Sequence, residues 1–303
     1  MTTRRLIAAG EAYEDLIFAG LDRLPAPGEE LRAAQFTVSP GGGAVITAVA
    51  AARLGARVTL VSALAPAMSA RLRAERLNVR NLRRPGEPQG VSVALSTPTD
   101  RSFVTVDGVN TALAPRIART LAGLRAAHVH LAFFPRDCRV WQRHVMRLRR
   151  RGMRVSWDFG WNETLARDPG LGALIASLDF VCLNESEARL YTGAGSLDDA
   201  LARLRAQPVT SIVKQGANGS RWIAGDGEYH APAVRVRTVV DTTGAGDAFN
   251  GGFLWALLGG LGPPACLAIG NAVAAASLAR AGGLDGLPTL NALPARLRRL
   301  APV

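Results

Sequence analysis

Six short apolar runs, separated by helix-patterned stretches, constrain this chain more than any other feature. They are "RLIAAG" (5–10), "RVTLVSA" (57–63), "AHVHLAF" (127–133), "MRVSWDF" (153–159), "LDFVCLN" (178–184) and "VTSIVKQG" (209–216). Each is short and nearly continuously apolar, as a strand buried on both faces is. Amphipathic stretches such as "GAVITAVAAARLG" and "CRVWQRHVMRLRRRG" lie between them. Strand then helix, repeated, means parallel strands joined by right-handed crossovers. An α/β fold is expected, with a mostly parallel central sheet flanked by helices and a largely helical C-terminal part after residue 246. With 303 residues, 48% of them apolar, one domain can bury such a core.

Two segments break the rhythm. Residues 11–42 and 89–110 alternate polar and apolar positions around Gly and Pro turns, the pattern of short antiparallel strands. Distant in sequence, they can still meet as one small antiparallel β sheet over an end of the main domain, a candidate lid. Residues 1–303 then form a single domain, with lid segments at about 11–39 and 89–108 inserted in it.

The formal charge is +12, yet no nucleic-acid partner is expected. Lys214 is the single lysine, so 35 of the 36 basic residues are arginines, a one-sided usage that looks like codon bias. The runs "RLRAERLNVRNLRR" and "RHVMRLRRRGMR" carry apolar residues at helical spacing, as solvated helix faces do. The excess positive charge would still draw anionic substrates weakly. Cys138, Cys182 and Cys266 lie far apart in apolar surroundings, without metal-ligand spacing, and are expected to be reduced and buried. No run is apolar enough to cross a bilayer. The first apolar run is short and closely followed by acidic residues, so it is taken as a first strand rather than a signal peptide. No membrane partner and a cytoplasmic location follow as expectations.

The stretch "DTTGAGDAFNGGFLWAL" (241–257) carries the chemistry. Glycines flank Ala245, two aspartates flank the glycines, and an apolar helix follows. The first amides of a helix have no intrahelical partner, and with the helix dipole they attract anions. Small residues let a phosphate approach that backbone. A carboxylate held there makes sense as a base, taking a proton from a hydroxyl that attacks phosphorus. A glycine turn with an aspartate cap is the plainer alternative.

The full string resembles the signature of the ribokinase-like, or PfkB, family of carbohydrate kinases. The likeness spans nearly the whole chain, since "PGGGAVITAVAAARLGARVTLVSAL" (40–64) is similar to the family's N-terminal glycine motif and the motifs keep the family's order. It implies phosphoryl transfer from ATP to a substrate hydroxyl, with Asp247 as the base and the backbone of Gly244, Ala245 and Gly246 as the anion hole. Asp241 and its loop resemble the family's monovalent-cation site, which implies K+. "NESE" (184–187) resembles the family's N-x-x-E pattern, placing Asn184 and Glu187 at the phosphates and the Mg2+ shell. The same spacing is that of a capping box. "VKQGANG" (213–219) resembles the nucleotide loop, with Gly216 and Gly219 near ATP. Lys214 within it could face a phosphate or solvent. "GNAVAAASLARAGG" (270–283) resembles the wall of the adenine pocket, with Asn271 at the nucleotide, or it is simply close helix packing.

The sugar side departs from the family. Asp15 stands where the family binds sugar hydroxyls, and Gly41 and Gly42 resemble its paired glycines. Tyr13, however, replaces an asparagine, Ile46 takes the place of a sugar-binding asparagine, and Phe133 stands where ribokinases carry a glutamate. "APAMSA" (65–70) replaces an acidic glycine-rich turn. Loss of hydroxyl partners should disfavour small, fully hydroxylated sugars, and aromatic residues favour a flat substrate end such as a nucleobase. Asp158 and Asn162 of "WDFGWN" either face the site or cap local structure. The leading expectation is a kinase for a sugar or sugar-like molecule. A nucleoside kinase and a non-catalytic ligand-binding relative are the alternatives. The family likeness also allows a homodimer through the lid strands.

Overall fold

The computed structural model describes residues 5–97 and 101–300. The expected first strand begins at Arg5, and residues 1–4 lie outside the described residues, as do residues 98–100 of the expected lid segment. Strand β1 (Arg5–Gly10) leads into β2 (Tyr13–Ala19) and β3 (Gln35–Gly41). Helix α1 (Gly43–Arg53) returns the chain to β4 (Arg57–Ser62), and α2 (Pro66–Ala74) precedes the short β5 (Asn78–Asn81). After β6 (Gly90–Ser96) and β7 (Arg101–Val106) come α3 (Leu113–Gly123), β8 (His128–Ala132), α4 (Cys138–Arg150) and β9 (Arg154–Asp158). The short α5 (Glu163–Ala166) and α6 (Leu171–Ala176) precede β10 (Phe180–Asn184), α7 (Glu185–Thr192), α8 (Leu197–Arg205) and β11 (Thr210–Lys214). A hairpin, β12 (Ser220–Ala224) and β13 (Gly227–Ala231), then leads to α9 (Ala245–Leu258) and α10 (Pro263–Ser277).

All six apolar runs are strands of one nine-stranded sheet, ordered β13-β12-β11-β10-β9-β8-β1-β4-β5. Its pairs are parallel except β11–β12 and β12–β13. Successive side chains of a strand point to opposite faces. Leu6 and Ala8 therefore join the core under α1, α9 and α10, while Ile7 and Ala9 join the one under α3 and α4. Helix α4 buries Cys138, Trp141, Val145 and Leu148 at helical spacing and turns its arginines outward. Gly251 and Gly252 let α9 pack tightly. A Cβ on Gly251 would stand 2.4 Å from Ala50 Cβ, and one on Gly252 would stand 2.7 Å from Val273.

Two expectations need correction and one element was missed. The basic run 71–84 is not one helix face: α2 stops at Ala74, Arg76 turns through φ 62°, and the chain continues as β5. The β12–β13 hairpin was not anticipated, although "GDG" (225–227) is a recognisable hairpin turn. The helical part of 270–283 ends at Ser277, and Gly282 lies beyond it at φ 86°.

The lid is a four-stranded sheet, ordered β3-β2-β6-β7, and it is mixed rather than antiparallel. Its outer pairs are antiparallel, but the central β2–β6 pair is parallel. Both strands leave the same edge of the main sheet, β2 just after β1 and β6 after β5, so they run in one direction. Gly90 opposes Tyr13 at their start, where a Cβ on Gly90 would meet the tyrosine ring at 3.0 Å.

Candidate active site

Strand order places the site. From β1 the chain steps one way to β4 and β5, and from β8 the other way to β9, β10 and β11. Ligands bind outside the carboxyl ends of strands at such a reversal. Gly10 ends β1 there, and a Cβ on it would stand 2.1 Å from the Ala132 carbonyl. Two clefts open at this edge, of about 390 and about 550 Å³. Gly244 and Asp247 line both. A larger cleft between α3 and α4, about 700 Å³, is lined by no carboxylate.

The smaller cleft lies under the loops. Asp158, Asn184 and Lys214 reach it from the last residues of three strands, with Glu187, Gly216, Gly219 and Asn271 around them. Lys214 is largely buried rather than free in solvent. Its ammonium donates to Asp158 Oδ2 at 2.6 Å, and Asn250 Nδ2 donates to the same oxygen at 2.7 Å. A Cβ on Gly246 would stand 3.2 Å from that ammonium, so the cation sits beside the start of α9. Gly244 caps this helix at φ 69°. The Ala245 N–H is already engaged with Thr242 O at 3.2 Å, so Gly246 and Asp247 supply the amides that head the helix. Asn184 and Glu187 do form a capping box, each side chain accepting the other's backbone N–H at 2.8 Å. They also line the cleft, so cap and site coincide. Asn271 Nδ2 donates to Ala231 O and Pro232 O, both at 3.0 Å, which ties α10 to the chain after β13.

The larger of the two clefts lies under the lid. Asp15, Gly42 and Ile46 line it as expected, and Gly41 packs beside it, where a Cβ would stand 1.8 Å from the Asp15 carboxylate. Phe133 does not line it. Its ring packs on Trp141 and Trp157 at 4.9 and 5.0 Å, and its carbonyl accepts from Trp157 Nε1. Its neighbour Phe134 faces the cleft instead, because adjacent residues at the strand end point to opposite sides. Asn162 caps α5, and only Asp158 of its pair faces the site. Sequence reasoning also missed Glu11, Phe103 and Asp107. The alternation along β7, Phe103 then Thr105 then Asp107, was the available signal. Gly43, third in its glycine run, was missed too: a Cβ on it would stand 2.9 Å from Asp247 Oδ1. Asp241 lines neither cleft. Its oxygens accept from the N–H groups of Thr243 and Gly282, both at 2.7 Å.

Burial pushes the Asp247 carboxyl up to about 7, assisted by the negative Asp158 and opposed by Lys214. Burial, with Asp158 again, does the same to Glu187, to about 7. Asp15 rises to about 7 through burial and then the charge of Asp241. Asp158 goes the other way: burial works against its charge, but the Lys214 ammonium holds it below the ordinary aspartate value. The cluster thus pairs one strong cation–anion contact with carboxylates poised to exchange protons near neutrality.

The sequence matches the model of the pfkB family carbohydrate kinases over residues 3–290. Ribokinase of Bacillus subtilis (strain 168) is 28% identical, the match covering 95% of this chain and 97% of that protein. Among solved structures, Arabidopsis thaliana ribokinase complexed with ribose and ATP is similar with a TM-score of 0.78 at 24% identity, the match covering 99% of each chain. The Burkholderia thailandensis nucleoside kinase in complex with inosine is similar with a TM-score of 0.80 at 21% identity, over 98% of both.

Proposed function

The chain belongs to the pfkB family of carbohydrate kinases, phosphotransferases whose acceptor is an alcohol, and on that premise we propose that Asp247 is the base that drives transfer from ATP to a sugar or sugar-like molecule. The observation that carries this assignment is the position of Asp247 at the head of α9, lining both clefts at once. ATP lies in the loop cleft, along Gly216, Gly219 and Asn271, its phosphates toward Asn184, Lys214 and the first amides of α9. The acceptor lies in the lid cleft with a hydroxyl at Asp247 and others at Asp15, close to Gly41, Gly42 and Ile46.

Asp247 takes the hydroxyl proton as the acceptor oxygen bonds to the γ-phosphorus, the bond from that phosphorus to the β,γ-bridging oxygen breaks, and ADP leaves. The amides of Gly246 and Asp247 and the Lys214 ammonium face the charge that develops on the phosphoryl oxygens. Magnesium fits the loop cleft, since it takes phosphate oxygens and water with one or two carboxylates, and Glu187 offers one. It would neutralise phosphate charge. Potassium would be held by the 241–243 loop, whose Asp241 oxygens each accept one backbone amide and keep lone pairs for a cation. The chain reads as one domain whose lid shields the reaction from water.

A nucleoside acceptor is favoured by Phe103 and Phe134, two aromatic rings in the lid cleft. The outer face of the lid supports a homodimer through the lid strands. Phe36, Val38, Val104 and Val106 share that face and are 43–65% exposed. Such a patch marks an interaction surface. The test is ADP release from Mg-ATP, with and without potassium, over hexoses, pentoses, sugar acids and nucleosides. Acceptor-stimulated release is expected. Bound ATP with no stimulation by any acceptor overturns the assignment.

A further inference from the structure

The groove of about 700 Å³ between α3 and α4 shares no lining residue with the two clefts at Asp247. Its volume is that of a small-molecule site, about 300–1,000 Å³. The α3 wall is made of Ala114, Ala118 and Ala122, spaced to share one face of the helix. The α4 wall supplies the bulk, with Trp141 and Leu148 buried at the floor. Alanine side chains are too short to bridge to α4, so the space between the helices stays open. The rim is basic. Arg119 on α3 and Arg147 and Arg150 on α4 are exposed, and none forms an ion pair among the described residues. Arg151 is already engaged: it donates to the carbonyls of Leu121 and Leu124 at 3.2 and 2.7 Å, which pins the end of α3 to α4. No carboxylate lines the groove, whereas Arg116 of the same α3 pairs with Glu87 outside it. The open positive charge acts on His144, which also lines the groove. Burial, then Arg147 and Arg143, hold its imidazole below the ordinary value.

An apolar floor under a cationic rim suits a ligand with the same two halves. A hydrocarbon body displaces water from the floor and from the alanine wall. An oxyanion then meets guanidinium forks, whose paired N–H groups match its oxygens. A second copy of this chain docked by the same face fits poorly, because two basic rims would oppose each other. We propose that the α3–α4 groove binds a small amphipathic anion. Its apolar body lies over Trp141 and Leu148, and its phosphate sits among Arg119, Arg147 and Arg150.

Calorimetry with octyl phosphate, octanol and inorganic phosphate makes the test, in protein with and without saturating Mg-ADP. One octyl phosphate per chain is expected, bound about tenfold or more tighter than octanol or inorganic phosphate. Its affinity should fall as salt is added, because the rim is exposed. Arg147→Glu/Arg150→Glu should weaken octyl phosphate by about tenfold or more and leave octanol unchanged. Ala118→Trp should fill the groove and abolish binding of both. Unchanged affinity for Mg-ADP checks that each variant is folded. Three results overturn the proposal. The first is octyl phosphate bound no tighter than octanol or inorganic phosphate. The second is an affinity that survives Arg147→Glu/Arg150→Glu. The third is displacement by Mg-ADP, which would move the ligand to the loop cleft. Arginine-dependent binding to phosphatidate vesicles without any binding of octyl phosphate overturns it as well, in favour of a membrane surface.

Discussion

The two clefts that meet at Asp247 are built on opposite electrostatic plans. In the loop cleft, the one cation is paired before any ligand arrives: Lys214 and Asn250 both hold Asp158, and Asn184 and Glu187 hold each other by hydrogen bonds. In the lid cleft, charge is left open: Asp15 has no side-chain hydrogen-bond partner among the described residues, and the carboxyl groups of Glu11 and Asp107 share one phenolic proton. A site that receives a polyanion needs its cation fixed in advance, because an unpaired buried lysine would shed its proton. A site that receives hydroxyls and amines can leave its acceptors waiting for the ligand to satisfy them. The ordering cost of the empty state is then carried by the acceptor side, where selectivity among substrates arises.

The largest effect should come from the residue on the border. Asp247→Asn keeps the shape of both clefts and removes the base. Turnover should fall by about 10²–10⁴-fold while ATP still binds. Near-normal turnover in that protein, measured by ADP release, would show that neither cleft depends on Asp247. In the unaltered protein kcat/KM should rise with pH through about 7 as the Asp247 carboxyl loses its proton. Asp158→Asn should move that rise to lower pH, because the negative Asp158 helps to hold Asp247 up.

The next effect breaks the matched side. Lys214→Met leaves Asp158 buried beside Asn250 with its cation gone. Breaking a buried pair from one end costs about 3–5 kcal/mol, more than the pair itself contributes. Denaturant titration should show that loss at pH 8, and a smaller one for Lys214→Met combined with Asp158→Asn. A single variant as stable as the unaltered protein would mean that Asp158 is solvated and the matched plan is wrong.

Most of the matched side was legible in the sequence, and most of the open side was not. The strands showed because a doubly buried strand needs a continuous apolar run, and the head of α9 showed because adjacent glycines need a backbone reason. The Lys214–Asp158 pair did not show. It joins the ends of β9 and β11, which stand on either side of β10 and lie 56 residues apart in the chain. On the open side Glu11, Phe103 and Asp107 were missed, and one further miss was a matter of register. Placing Phe133 rather than Phe134 in the cleft is a one-position slip, and alternation at a strand end turns such a slip into the opposite face. The lid's parallel pair was beyond the alternation pattern altogether, since that pattern marks strands but carries no direction for partners distant in sequence.

The smallest effect should have the opposite sign, and so separates the two clefts most sharply. Asp15 has an ordinary value of 3.8, pushed up to about 7 in the fold by burial and then by Asp241. Below about pH 4 it is protonated in both the folded and unfolded chain and costs nothing. As pH rises from about 4 to about 7 the unfolded chain ionises first, so the folded state loses stability, and above about 7 the loss is complete. Asp15→Asn does not titrate. It should therefore stabilise the ligand-free protein at pH 8 by on the order of 2 kcal/mol and change little at pH 4. Melting curves at the two pH values test this, and equal shifts at both would show that Asp15 already has a donor. The same variant should lose acceptor affinity, since the amide accepts hydroxyl protons less strongly than the carboxylate. Removing charge from the loop cleft would then weaken the fold, and removing it from the lid cleft would strengthen the fold at the expense of the substrate. That division is what a site selecting its acceptor through unsatisfied groups requires.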